Sequence, residues 1–206
     1  MVEDILNKIS MPIAAAVGGF ALVLLLVGLW WWRRRQRHGS RRRMERALQT
    51  VSVEMLEDVL IPDGMGGQIH LERLLLTGQG LVVLDLKDVP GAVFASDRMD
   101  DWTVIHTERR YSFPNPQGPL FDRVAAVRQL ARDIPVAGHV LFSDRADLSK
   151  GHPRTVLQPA DLLARYQKPS KADLAPVMDA FYPHWERVRR DAVNARVGAL
   201  LSSSSR

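Results

Sequence analysis

The chain has 206 residues, no cysteine and a formal net charge of +5 at neutral pH. That length suits one domain with appendages, and the missing cysteine excludes disulfides, thiolate metal sites and a thiol nucleophile and points to a reducing compartment. The charge is local: residues 33–46 hold eight Arg and one Glu for +7, residues 1–32 sum to −1 and residues 47–206 sum to −1, so the basicity by itself says nothing about nucleic acid.

In chain order, the first element is a membrane span. Met11 to Trp32 is 22 residues without a charge, centred on ALVLLLVGL and closed by Trp30, Trp31 and Trp32. A helix of that length reaches roughly 33 Å at about 1.5 Å per residue, against a hydrocarbon core of ~30 Å. The Trp triplet suits the headgroup belt, and the Arg-rich juxtamembrane segment 33–43 suits the cytoplasmic face with its anionic lipid. The expectation is a single-pass anchor in the cell (inner) membrane, with residues 1–10 outside, the rest cytoplasmic and the lipid bilayer as a partner. A cleaved signal peptide would want a basic start and a small-residue cleavage site, and this chain starts acidic and runs into Trp and Arg.

The soluble part begins with a short helix over Met44–Ser52. Strands are predicted over Val53–Ile61, Gln68–Thr77 and Leu81–Lys87, the first closed by Pro62-Asp-Gly-Met-Gly-Gly. Shorter strands follow at Ala92–Ala95, Trp102–Thr107 and Arg109–Phe113, and Pro114-Asn-Pro-Gln-Gly-Pro reads as a rigid loop. Phe121, Val124, Ala125, Val127, Leu130 and Ala131 are spaced as an amphipathic helix. Val136–Phe142 is apolar enough for a strand buried on both faces. A polar loop over Asp144–Pro153, an edge strand at Thr155–Leu157, a helix over Ala160–Gln167 and one or two helices over Lys171–Leu201 complete the chain, with a frayed tail at 202–206. Strands first and then helix–strand–helix predicts an α/β fold with a mixed sheet flanked by helices.

One hairpin carries the chemistry. In LERLLLTGQGLVVLDLK, Gly78-Gln79 suits a two-residue loop, which pairs Thr77 with Gly80 and places Glu72 opposite Asp85 and His70 opposite Lys87. Alternation then puts Glu72, Leu74, Leu76, Leu81, Val83, Asp85 and Lys87 on one face, and Leu71, Leu75, Val82, Leu84 and Leu86 on the other. Opposed carboxylates repel and call for a proton or a cation between them, and a hard divalent ion takes such oxygens. Lys87, on the same side, can hold a water or an anionic group beside it. The other reading of these three charges is a solvated ion cluster at a strand end.

These residues resemble the acid–acid-x-Lys core of the PD-(D/E)XK nuclease superfamily. The text VLIPDGMGGQIHLERLLLTGQGLVVLDLKDVPG, with Trp102, Asn115-Pro116 and PVAGHVLFS after it, is similar to the nuclease-related domain (NERD) family. The resemblance covers roughly Met44 to Ser143 within a domain read as 44–168, followed by a helical segment at 169–201. It implies a restriction-endonuclease-like fold and a membrane-anchored nuclease hydrolysing phosphodiester bonds in nucleic acid, with Mg²⁺ or Mn²⁺ held by Glu72 and Asp85 and with Lys87 activating water. Glu72 stands where the family has Asp, and Asp85 where it has Glu. Arg73 replaces a His. Pro119 and Arg123 occupy the places of a helical Gln and an aromatic or His, with Gln117 displaced, and Glu45 matches an early helical Glu. A non-catalytic binding or scaffolding module on the same fold is the alternative, favoured by the near-neutral domain and the lost helical Gln.

Other signals are empty. The six His show no metal-ligand spacing, Gly78-Gln-Gly80 opens no helix, and neither a phosphate-binding loop nor a nucleophile elbow is present. His139 reads as a core residue, and Phe181, Tyr182 and Trp185 read as helix packing rather than base stacking.

Overall fold

The protein is described from a computed structural model, at residues 24–29, 31, 39–167 and 170–195. The chain divides into two compact units, residues 1–41 and 42–206. In the first, residues 24–29, 31 and 39–41 are helical, and Leu24, Leu25, Leu26, Val27, Leu29 and Trp31 are exposed. The remainder of the expected span and most of the Arg run lie outside the described residues, as does the tail from 196 onward. No helix among the described residues is long and apolar enough to cross a membrane.

Helix α1 covers residues 39–51, and the second unit takes in its residues from 42 onward. Three long strands follow, β1 (Glu54–Pro62), β2 (Gln68–Thr77) and β3 (Gly80–Lys87), then three shorter ones, β4 (Gly91–Phe94), β5 (Asp101–His106) and β6 (Arg109–Pro114). Next come α2 (Gln117–Leu130), β7 (Val136–Phe142), β8 (Ala146–Asp147), β9 (Val156–Leu157), α3 (Pro159–Arg165), α4 (Lys171–Asp191) and β10 (Val193–Asn194). The strands form two mixed sheets flanked by helices, one ordered β10-β1-β2-β3-β7-β9 and one ordered β6-β5-β4-β8. Most predicted strands stand within a residue or two of their expected bounds. β8 and β10 are additions: each is two residues long and exists only because a neighbouring strand edge accepts it.

The central sheet is covered on both faces, as the apolar runs require. Leu75, Val82, Leu84, Leu141 and Leu157 face α1 and α3, packing with Met44, Leu48, Val51, Leu162 and Tyr166. Leu74, Leu76, Leu81, Val83, Val140 and Phe142 face α2 and the second sheet, packing with Leu120, Val124, Val127, Val93, Trp102 and Val104. α4 closes the β1 side of that same core with Trp185 and Val188, and Trp185 Nε1 donates to Glu54 Oε2 at 2.7 Å. Trp185 is fully buried and Phe181 and Tyr182 pack beside it, so these aromatic residues are core.

α2 begins earlier than expected, inside the presumed loop, and its buried stripe is Gln117, Leu120, Val124, Ala126 and Val127. Phe121 is 53% exposed. The helix is phased on Leu120 rather than Phe121 because it approaches β7 closely at Gly138, where a Cβ would lie 2.5 Å from Val124 Cγ2.

The hairpin register is the expected one, from Thr77 opposite Gly80 to Arg73 opposite Leu84. Gly80 has φ +115°, and a Cβ there would meet the Pro135 carbonyl oxygen at 2.3 Å, so only glycine suits the turn. Past Arg73 the expectation fails. Glu72 is not paired with Asp85, nor His70 with Lys87, and Leu71 packs in the α2-side core rather than on the opposite face. The cause lies one strand away. Asp58 of β1 has φ +54°, and β1–β2 pairing skips from Glu57–Arg73 to Val59–Leu71. Leu56 and Leu74 face the α2-side core before this step, and Val59 and Leu71 face it after. Both strands therefore exchange faces together at Asp58 and Glu72, and β2 parts from β3 there.

Candidate functional site

The parting of β2 from β3 makes a fork, because β3 stays paired with β7 as far as Lys87 opposite Phe142. Backbone groups lining the fork have lost their strand partners and need others. Glu72 supplies one: its Oε2 accepts the Leu86 N–H at 2.8 Å. Arg123 of α2 supplies another, its Nε donating to the His70 carbonyl at 2.8 Å. The same guanidinium reaches across the fork, and Nη1 donates to Asp85 Oδ2 at 2.9 Å. Asp85 thus lies on the α2 face, as its alternation with Leu81 and Val83 predicts.

The Asp85 side chain is 8% exposed and that of Arg123 is 22% exposed. Burial pushes the Asp85 carboxyl above its ordinary value, opposed first by Arg123 and then by the charges of Lys87 and His70. Desolvation outweighs these opposing influences, which marks how dry the position is. Lys87 is therefore near Asp85 and acts on it through space. His70 turns its ring to Asp58, with Nε2 and Oδ1 2.7 Å apart.

Of the five residues singled out from sequence, Glu72, Asp85 and Lys87 all belong to the fork: Glu72 caps the amide next to Asp85, and Lys87 follows two residues along β3. Glu45 and Gln117 do not join them. Glu45 sits 4.0 Å from Arg73, which is 3.5 Å from Glu57 on the α1 face. Gln117 is buried at the start of α2, its amide donating to Asp97 Oδ1 at 2.7 Å and to Thr155 Oγ1 at 2.8 Å. It ties the β4–β5 loop to the approach to β9, which is a structural task. The residues that sequence reasoning missed as members of the site are Arg123, His70 and Asp58. For Arg123 a signal existed: an Arg directly beside the Leu120–Val124–Val127 stripe of a core-facing helix needs a buried partner.

A hard divalent ion takes carboxylate oxygens and completes its shell with water. The fork does not fit one as it stands. Asp85 already has a cation within hydrogen-bond distance, held at a second point by the His70 carbonyl. One Glu72 oxygen serves a backbone amide. No cluster of three or more metal-ligating side chains occurs among the described residues. What the arrangement does is neutralise a buried carboxylate and stitch two diverging strands. No protein-family model, curated protein or solved structure matches the chain.

Proposed function

We propose that the chain is a membrane-anchored α/β module of restriction-endonuclease-like, NERD-type architecture that binds or scaffolds a partner without hydrolysing phosphodiesters. The observation that carries this reading is the Arg123–Asp85 ion pair at 2.9 Å. It fills with a fixed guanidinium the position where hydrolysis on the acid–acid–Lys pattern would need a movable metal cation. The charge of −1 over residues 47–206 supports the same reading, because affinity for a phosphate backbone comes mainly from cationic side chains. The anchor is supported by the 22 uncharged residues ahead of the Arg run and by the exposed Leu24–Leu29 helix.

One feature favours hydrolysis as a second reading: Glu72, Asp85 and Lys87 all belong to the fork, and the Lys87 charge acts on Asp85. The two readings part in a single assay. The full-length protein in detergent is incubated for long periods with single-stranded, double-stranded and nicked DNA and with RNA, in Mg²⁺ or Mn²⁺ and in chelator. The proposal expects no cleavage above the chelated control. Metal-dependent cleavage that disappears in Lys87→Ala would instead establish a nuclease.

A further inference from the structure

We infer that Arg123 is a resident cation in the fork, and that its charge is what keeps the buried Asp85 carboxylate from taking a divalent ion. This rests on reading the fork as a nuclease-like site closed by its own side chain, and it names the residue that closes it.

The argument starts from the need for positive charge. The Asp85 carboxylate is nearly sealed from water, and an isolated buried carboxylate is costly unless paired. Its pairing is met from α2 by a guanidinium with two anchors, the Asp85 carboxylate and the His70 carbonyl. Both anchors belong to the two strands that part. Glu72 brings a second carboxylate to the amide of Leu86, the residue next to Asp85. Glu72 is thus held beside the strand at the residue next to Asp85, and the cation paired with Asp85 is covalently part of the chain.

Removing the guanidinium charge leaves Asp85 in place with the Lys87 charge as its next compensation. A Gln at 123 is neutral and retains an amide donor for the His70 carbonyl. It also relieves the repulsion between a guanidinium and an incoming ion, which is large at contact distance in a partly dry site. A Lys at 123 retains the charge and serves as the control for it.

Mn²⁺ binding to the full-length protein, followed by loss of the free-ion electron paramagnetic resonance signal, tests this. Arg123→Gln is expected to bind Mn²⁺ roughly tenfold or more tightly than wild type. Arg123→Lys should stay near wild type, and Asp85→Asn added to Arg123→Gln should abolish the gain. Equal affinity in wild type and Arg123→Gln overturns the inference, as does a gain that survives Asp85→Asn. If Arg123→Gln is unfolded in chelator, its refolding is titrated with Mn²⁺. Rescue that needs Asp85 supports the inference, and no rescue overturns it. Nucleic-acid cleavage by wild type would sink the proposed function, while the titration alone judges the role of Arg123.

Discussion

The Glu72 carboxylate accepts the backbone N–H of Leu86 at 2.8 Å, across a gap that a strand carbonyl would otherwise fill. A side chain read from sequence as a metal ligand is therefore also a backbone cap, and the two roles predict different things. Glu72→Gln keeps an acceptor and should leave stability close to wild type. Glu72→Ala orphans the amide and should cost about 1–3 kcal/mol in urea denaturation. Equal stability of the two variants would show that the cap carries no weight.

Asp85 provides a test with a sign. Burial raises its pKa above that of the unfolded chain, so the folded state binds more protons than the unfolded one between the two values. Wild-type stability contributed by this group then rises as the pH falls through the folded pKa. Asp85→Asn, neutral throughout, should melt at the same or a higher temperature than wild type at neutral pH, and its advantage should shrink on acidification. Strong destabilisation of Asp85→Asn at neutral pH would mean that the ion pair with Arg123 outweighs desolvation.

His139 acts in the opposite direction. Its Nε2 lies 2.7 Å from the Tyr166 hydroxyl in the core beneath α3, and burial, aided by Arg165, lowers its pKa from 6.5 to about 4. The unfolded chain binds this proton first. Stability should fall as the pH drops from about 6.5 towards 4, by up to about 3 kcal/mol. Chemical denaturation of His139→Gln across this range should lack that slope, and the difference between the two proteins isolates it from the carboxylates.

Gly138 controls how near α2 comes to the sheet. An added methyl would press on Val124 and Leu120 at 2.5 and 3.2 Å, both on the helix that carries Arg123. Gly138→Ala should cost about 1–3 kcal/mol by overpacking, read as a lowered urea midpoint with an unchanged m-value.

Much of this was legible because strands with two buried faces announce themselves. The run from Gln68 to Lys87 contains its own turn chemistry in Gly78-Gln79, and the register near the turn follows from it. The fork was legible too, in a signal easily passed over. Apolar spacing along β1 goes from Leu56 to Val59, and along β2 from Leu71 to Leu74, each a step of three across a charged doublet. Strict alternation allows only steps of two, so both strands advertise a change of face at the same level. Reading β2 as unbroken is what put Leu71 on the wrong side and Glu72 opposite Asp85. β8 and β10 had no such signal, since two residues carry no period. The partner of Arg123 was hidden for a different reason: 38 residues separate it from Asp85, and only the approach of α2 at Gly138 brings them together.

The joint exchange of faces at Asp58 and Glu72 couples two stretches of sequence that look independent. A deletion of one residue from one strand at this level would give that strand unbroken alternation but leave the change of face in its partner, so the Val59–Leu71 pairing beyond it would slip by one. Deleting one residue from each would keep the apolar faces, restore the matched register and straighten the pair, letting β2 rejoin β3. Such a protein would keep its core and lose its fork. The acids are thus lodged in an irregularity that takes two matched changes to erase, and drift by single steps meets a penalty in folding before it reaches the site.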